Sequence, residues 1–134
     1  MKKMNPVVHF ELPAKDRKRM ADFYSGVFGW KAQMLGEEMG NYVTVSTTET
    51  DETGRPITQG SINGGLYPVG PDESNRHPSV VIAVEDILDS IKRVNEAGGK
   101  ILGEPVQIPS VGKYVSFVDT EGNTLSILQP SMGQ

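Results

Sequence analysis

The 134-residue chain carries 13 basic and 17 acidic side chains, for a net charge of −4 and an isoelectric point near 5.1. Tracking phosphates requires a clustered Lys/Arg stripe, and its absence argues against nucleic acid or anionic membrane as partner. There is no cysteine, which excludes disulfides, thiolate nucleophiles and thiolate metal sites and suits a reducing cytoplasm, the expected location.

The first six residues hold two lysines, but no apolar run of signal-peptide length follows. Nor does any stretch approach the roughly 20 apolar residues that span a bilayer. Residues 7–13 alternate, with Val8, Phe10 and Leu12 on one face and Val7, His9 and Glu11 on the other, the pattern of a strand with one half-polar side. Asp16 then reads as an N-cap. Met20, Phe23, Tyr24, Val27 and Phe28 form a helical apolar stripe ended by Gly29, and the basic stretch 15–19 is the solvated start of that helix. Strands are predicted over 30–34, 41–48 and 57–67, with a polar turn at 49–55 and a linker at 69–76.

A second unit opens with the apolar strand 79–84. Asp86 caps a helix with Ile87, Leu88, Ile91, Val94 and Ala97 as its stripe, stopped by Gly98 and Gly99. Strands follow around 100–103 (running on irregularly to 108), 113–119 and 124–129, the last two joined by a tight turn at 120–123.

The two units repeat one pattern. Asp16 answers Asp86 and Gly29 answers Gly99, both 70 residues apart, and Gly40–Val45 and Gly60–Pro68 answer Gly112–Phe117 and Gly122–Pro130. Each repeat is βαβββ. The expectation is one α+β domain over residues 1–134, with module 1 about 5–70 and module 2 about 77–130. Its eight strands form a curved sheet, a cup with the helices outside.

The two βαβββ modules, the segment Phe23–Trp30 closing the first helix and the turn Asp119–Asn123 resemble the vicinal oxygen chelate superfamily. That group includes glyoxalase I, bleomycin-resistance proteins, fosfomycin-resistance enzymes and extradiol dioxygenases. The resemblance is closest to glyoxalase-like proteins related to lactoylglutathione lyase, and Thr120 stands where that turn often has Pro. It implies a divalent metal in the cup, held from the first and last strand of each module. By position those slots fall on His9, Gly64 (or Asn63, were the strand to slip by one), Ser79 and Ser126. Only His9 is a competent ligand, and a catalytic site normally needs about three protein ligands.

The leading expectation is therefore a cup without cofactor that binds a small organic molecule. The binding residues would be His9, Asn63, Gly64, Ser79, Tyr114 and Ser126, with His9 and Glu11 as candidates for acid–base work. Glu11 lies on the face of His9, about 6.5–7 Å along the strand. Tyr42 and Tyr114 are equivalent in the repeat, facing either cup or core. The alternative is a metal-dependent lyase, isomerase or dioxygenase that uses a displaced His9, His77 and Glu11 set for Zn, Ni, Fe or Mn. A third reading is a non-catalytic structural dimer. A homodimer is expected from the resemblance and from exposed sheet edges.

Overall fold

A computed structural model gives the fold and describes residues 4–70 and 76–131; the middle of the predicted linker lies outside the described residues. The chain is α+β, and its contacts divide it into two compact units. One contains the described part of His9–Pro78. The other contains that of Ser79–Gln134 together with the start of the chain through Val8.

In the first unit, β1 (Val7–Ala14, its first two residues grouped with the other unit) leads into α1 (Arg17–Phe28), followed by β2 (Lys31–Met34), β3 (Val43–Ser46) and β4 (Asn63–Pro68). The strand order is β2–β3–β4–β1, with β1 parallel to β4 and the other pairs antiparallel. Asp16 caps α1 by accepting from the Arg19 amide at 3.0 Å, and Gly29 ends it at φ 74°, where a Cβ would be strained. Val43, Val45, Leu66 and Ala14 pack under Ala21 of the helix, joined by Phe10, Leu12, Met20 and Trp30. Full burial of a Val or Leu side chain contributes about 1.5–3 kcal/mol, and Val43 and Leu66 are fully buried.

The second unit repeats the order with β5 (Ser79–Ala83), α2 (Ile87–Glu96), β6 (Lys100–Ile108), β7 (Gly112–Val118) and β8 (Thr124–Pro130), arranged β5–β8–β7–β6. Asp86 caps α2 through the Asp89 amide. The core gathers Val84, Ile87, Val115, Phe117 and Ile127. The irregular run predicted to 108 is one strand whose register with β7 shifts between Leu102 and Val106.

Three expectations need correction. Residues 57–62 precede β4 as irregular chain. The helical stripes are narrower than periodicity implies: Phe23, Val27 and Phe28 of α1 and Leu88 of α2 are more than half exposed. In α1 the aromatic residues pack on one another instead, Tyr24 stacking on Trp30 with centroids 4.7 Å apart and Phe28 lying beside both. The third concerns register. Thr44 pairs with Gly65 and the equivalent Ser116 pairs with Ser126. On the other side Gly65 pairs with Glu11, and Ser126 with Val81, 70 residues on from Glu11. Both ladders therefore equate Ser126 with Gly65, and neither Gly64 nor Asn63 holds that slot.

Candidate functional site

Alternation along β1 and β4 assigns Phe10, Leu12, Gly64 and Leu66 to the side of α1, leaving His9, Glu11 and Gly65 on the opposite face. A Cβ on Gly64 would meet the Phe10 ring at 2.5 Å, so this glycine makes room for core packing. A Cβ on Gly65 would overlap the hydroxyl and ring of Tyr42. Gly65 is thus the floor on which that phenol lies.

Tyr42 sits just before β3, placed by a local network. The Arg17 guanidinium donates to the carbonyls of Leu35 and Asn41, each at 2.9 Å, and the Leu35 amide donates to the Tyr42 carbonyl at 2.9 Å. Asn41 adopts a left-handed φ of 56°, a conformation Asn tolerates better than most residues. The chain so directed brings the Tyr42 hydroxyl 2.9 Å from His9 Nε2 and 3.2 Å from Glu11 Oε2, to which it donates. The His9 and Tyr42 rings are near-parallel, at 19°. Burial lowers the His9 pKa from its ordinary 6.5, and the charge of Glu11 opposes this more weakly. The result is a half-buried neutral imidazole, a phenol and a carboxylate in series on one sheet face.

The remaining predicted residues have other partners. Asn63 accepts the Thr47 amide at 2.9 Å and so holds the entry to β4. In the second unit, the buried Ser126 hydroxyl donates to Tyr114 Oη at 2.7 Å and lies 2.9 Å from Ser116 Oγ. Ser79 Oγ donates to the Thr124 carbonyl at 2.8 Å. His77 is exposed, before β5. Among the described residues, no three of His, Asp or Glu gather into a group that could hold a metal, so His9, Glu11 and His77 are not brought together as a ligand set.

Taken one by one, the residues at the superfamily's metal positions offer one competent ligand, His9: Gly65 has no side chain and is covered by Tyr42, and the Ser79 and Ser126 hydroxyls, poor ligands when neutral, are hydrogen-bonded to protein oxygens. The second unit also carries a hollow of about 620 Å³, lined in part by Pro6, Glu85, Gln107, Lys113 and Gln129 and by none of the predicted site residues. The residue that sequence reasoning left undecided is Tyr42. Its signal was the repeat itself, which paired it with Tyr114 and left open which face the rings take.

The Glyoxalase/Bleomycin resistance protein/Dioxygenase superfamily matches residues 7–127. Anthracycline biosynthesis protein DnrV of Streptomyces peucetius is 28% identical over 124 residues, covering 88% of this chain and 44% of that protein. The chain thus spans less than half the length of that relative. A glyoxylase-like domain-containing protein of Didymella fabae is 31% identical over 124 residues, covering 87% of this chain and 88% of its own length. Among solved structures, methylmalonyl-CoA epimerase from Mycobacterium tuberculosis has a TM-score of 0.67 at 15% identity, covering 98% of this chain and 93% of that one, a likeness of fold alone. By its βαβββ repeat and by these matches, the chain belongs to the glyoxalase/bleomycin resistance/dioxygenase group, the vicinal oxygen chelate superfamily.

Proposed function

We propose that this protein binds a small organic molecule on the sheet face bearing His9, Tyr42 and Glu11, by hydrogen bonds and without a metal. The observation that carries the reading is the Tyr42 hydroxyl set between His9 and Glu11 over a glycine that has no side chain to compete. Sites for small ligands typically combine a few convergent polar groups with apolar lining. The relatives named for anthracycline biosynthesis support a small organic ligand over a macromolecular one. A second reading draws on the same groups. A neutral imidazole coupled to a phenol and a carboxylate is competent to accept a proton, so metal-free acid–base catalysis on the bound molecule is the enzymatic form of the proposal.

Two measurements test the reading. Protein purified without chelator or nickel resin is expected to hold no stoichiometric divalent metal by elemental analysis. Retained metal would favour a metal-dependent lyase, isomerase or dioxygenase instead. In a thermal-shift screen of small aromatic and carbonyl compounds, stabilisation is expected to vanish in His9→Ala and persist in Ser79→Ala; equal responses in both variants would refute the site. We further propose a homodimer, because all four residues of β2 are exposed and the strand stands at the end of the strand order. Light scattering that shows a monomer at micromolar concentration would refute it.

A further inference from the structure

The hydrogen-bond series limits where its protons lie. A phenol has one proton, and an ionised carboxylate only accepts. The proton of Tyr42 is therefore donated to Glu11 Oε2, and at the 2.9 Å contact with His9 the phenol oxygen must accept. His9 is the donor there, through Nε2–H. The opposite tautomer would set an unprotonated Nε2 against a phenol whose proton is already committed, leaving two acceptors face to face. A neutral His9 has one N–H, so its Nδ1 carries a lone pair.

That nitrogen is not sealed within the protein. Every hydrogen bond of the His9 side chain is accounted for by Tyr42. Among the described residues, no buried side-chain nitrogen or oxygen lacks a partner. An Nδ1 without a protein partner is therefore in contact with solvent. The near-parallel rings, at 19°, are consistent with a bond that leaves Nε2 in the imidazole plane and so locks the ring's orientation.

Resting on the binding reading above, we propose that the ligand presents a hydrogen-bond donor, a hydroxyl or N–H, to His9 Nδ1, and that the site selects against a carboxylate or a bare ether at that point. A donor completes the series in one direction, from ligand through His9 and Tyr42 to Glu11. An acceptor would meet a lone pair, and an anion would in addition lie near the charge of Glu11. Discrimination of this kind is strong because an unmatched polar group in a site costs more than a matched one gains.

Nitrogen-15 NMR of the histidine side chains in the full chain tests the proposal, because the two neutral tautomers give opposite shift patterns for Nδ1 and Nε2. His9 is expected as the Nε2–H form at neutral pH. The probes are phenol, anisole and benzoate, alike in ring size. Phenol is expected to shift His9 Nδ1 saturably, while anisole and benzoate leave it in place. An Nδ1–H tautomer or an imidazolium at neutral pH overturns the donor assignment while the binding reading stands. Anisole or benzoate acting as strongly as phenol overturns the selectivity. If none of the three perturbs His9, the binding reading falls and takes the proposal with it.

Discussion

Gly65→Ala tests the arrangement at its base. The added Cβ would fall within the Tyr42 ring and hydroxyl, and a phenol cannot bend away; it must swing about its χ angles. Swinging removes the bond to the Glu11 carboxylate and the bond from His9. Hydrogen bonds to charged groups contribute about 1.5–3 kcal/mol and neutral ones about 0.5–1.5 kcal/mol, and the lower ends apply because this site is only part-buried. Overpacking adds about 1–3 kcal/mol, while the loss of glycine's unfolded-state freedom offsets about 0.4–1 kcal/mol. The net expectation is a destabilisation of about 2–4 kcal/mol, or roughly 10 °C in Tm for a chain of this size. Urea unfolding gives the number, and a double-mutant cycle gives its origin. In a Tyr42→Ala background there is no ring to displace, so Gly65→Ala is expected to be neutral or mildly stabilising. If alanine costs the same with and without Tyr42, the penalty belongs to the backbone and the account of Gly65 is wrong.

Other outcomes follow from the same contacts. Because burial lowers the folded-state pKa of His9, the unfolded chain binds more protons as pH falls below about 6.5, and stability should decline through that window down to the folded pKa. The decline should flatten in His9→Gln, and an unchanged pH profile in that variant would contradict the burial argument. Ser126→Ala removes the hydroxyl shared by Tyr114 and Ser116 and is expected to cost about 1–2 kcal/mol in urea unfolding. Arg17→Ala releases two carbonyls that shape the approach to Tyr42 and should cost about 1–3 kcal/mol, with altered near-ultraviolet tyrosine dichroism as its signature. Asp16→Ala should cost about 1 kcal/mol through the lost cap, without changing that dichroism.

What the sequence conveyed and what it did not divide along physical lines. Both helices could be placed because Asp16 and Asp86 supply side-chain acceptors for orphan amides, and because alternation in Val7–Pro13 phases β1 directly. The face of His9 and Glu11 followed from that phase. The β4 strand was different, since Asn63, Gly64 and Gly65 give alternation almost nothing to phase. Matching turns and prolines, Gly60 with Gly122 and Pro68 with Pro130, placed Gly64 opposite Ser126, whereas the ladders are one residue off that alignment. The buried stripe of α1 is narrower than its periodicity for another reason. Periodicity records which apolar residues share a face, not whether neighbouring aromatics satisfy one another at the surface, as Phe23, Tyr24 and Phe28 do.

The corrected register also shows how one duplicated tyrosine serves two ends. Tyr42 and Tyr114 each precede a small hydroxyl residue by two, Thr44 and Ser116, which pair with Gly65 and Ser126. Where the paired residue is Ser126, the phenol takes its partner from that strand, and the hydroxyls of Tyr114, Ser126 and Ser116 join into a local chain. Where it is Gly65, no such partner exists, and the ring lies across the vacant position to reach His9 and Glu11 on β1. A serine at 65 would collide with Tyr42 as an alanine does. A glycine at 126 would strip two hydroxyls of a shared partner. The second unit has Ser79 and Val81 where the first has His9 and Glu11, so the histidine and carboxylate make the second arrangement possible and the glycine facing Tyr42 leaves room for it; a single methyl group on Gly65 is enough to dismantle it.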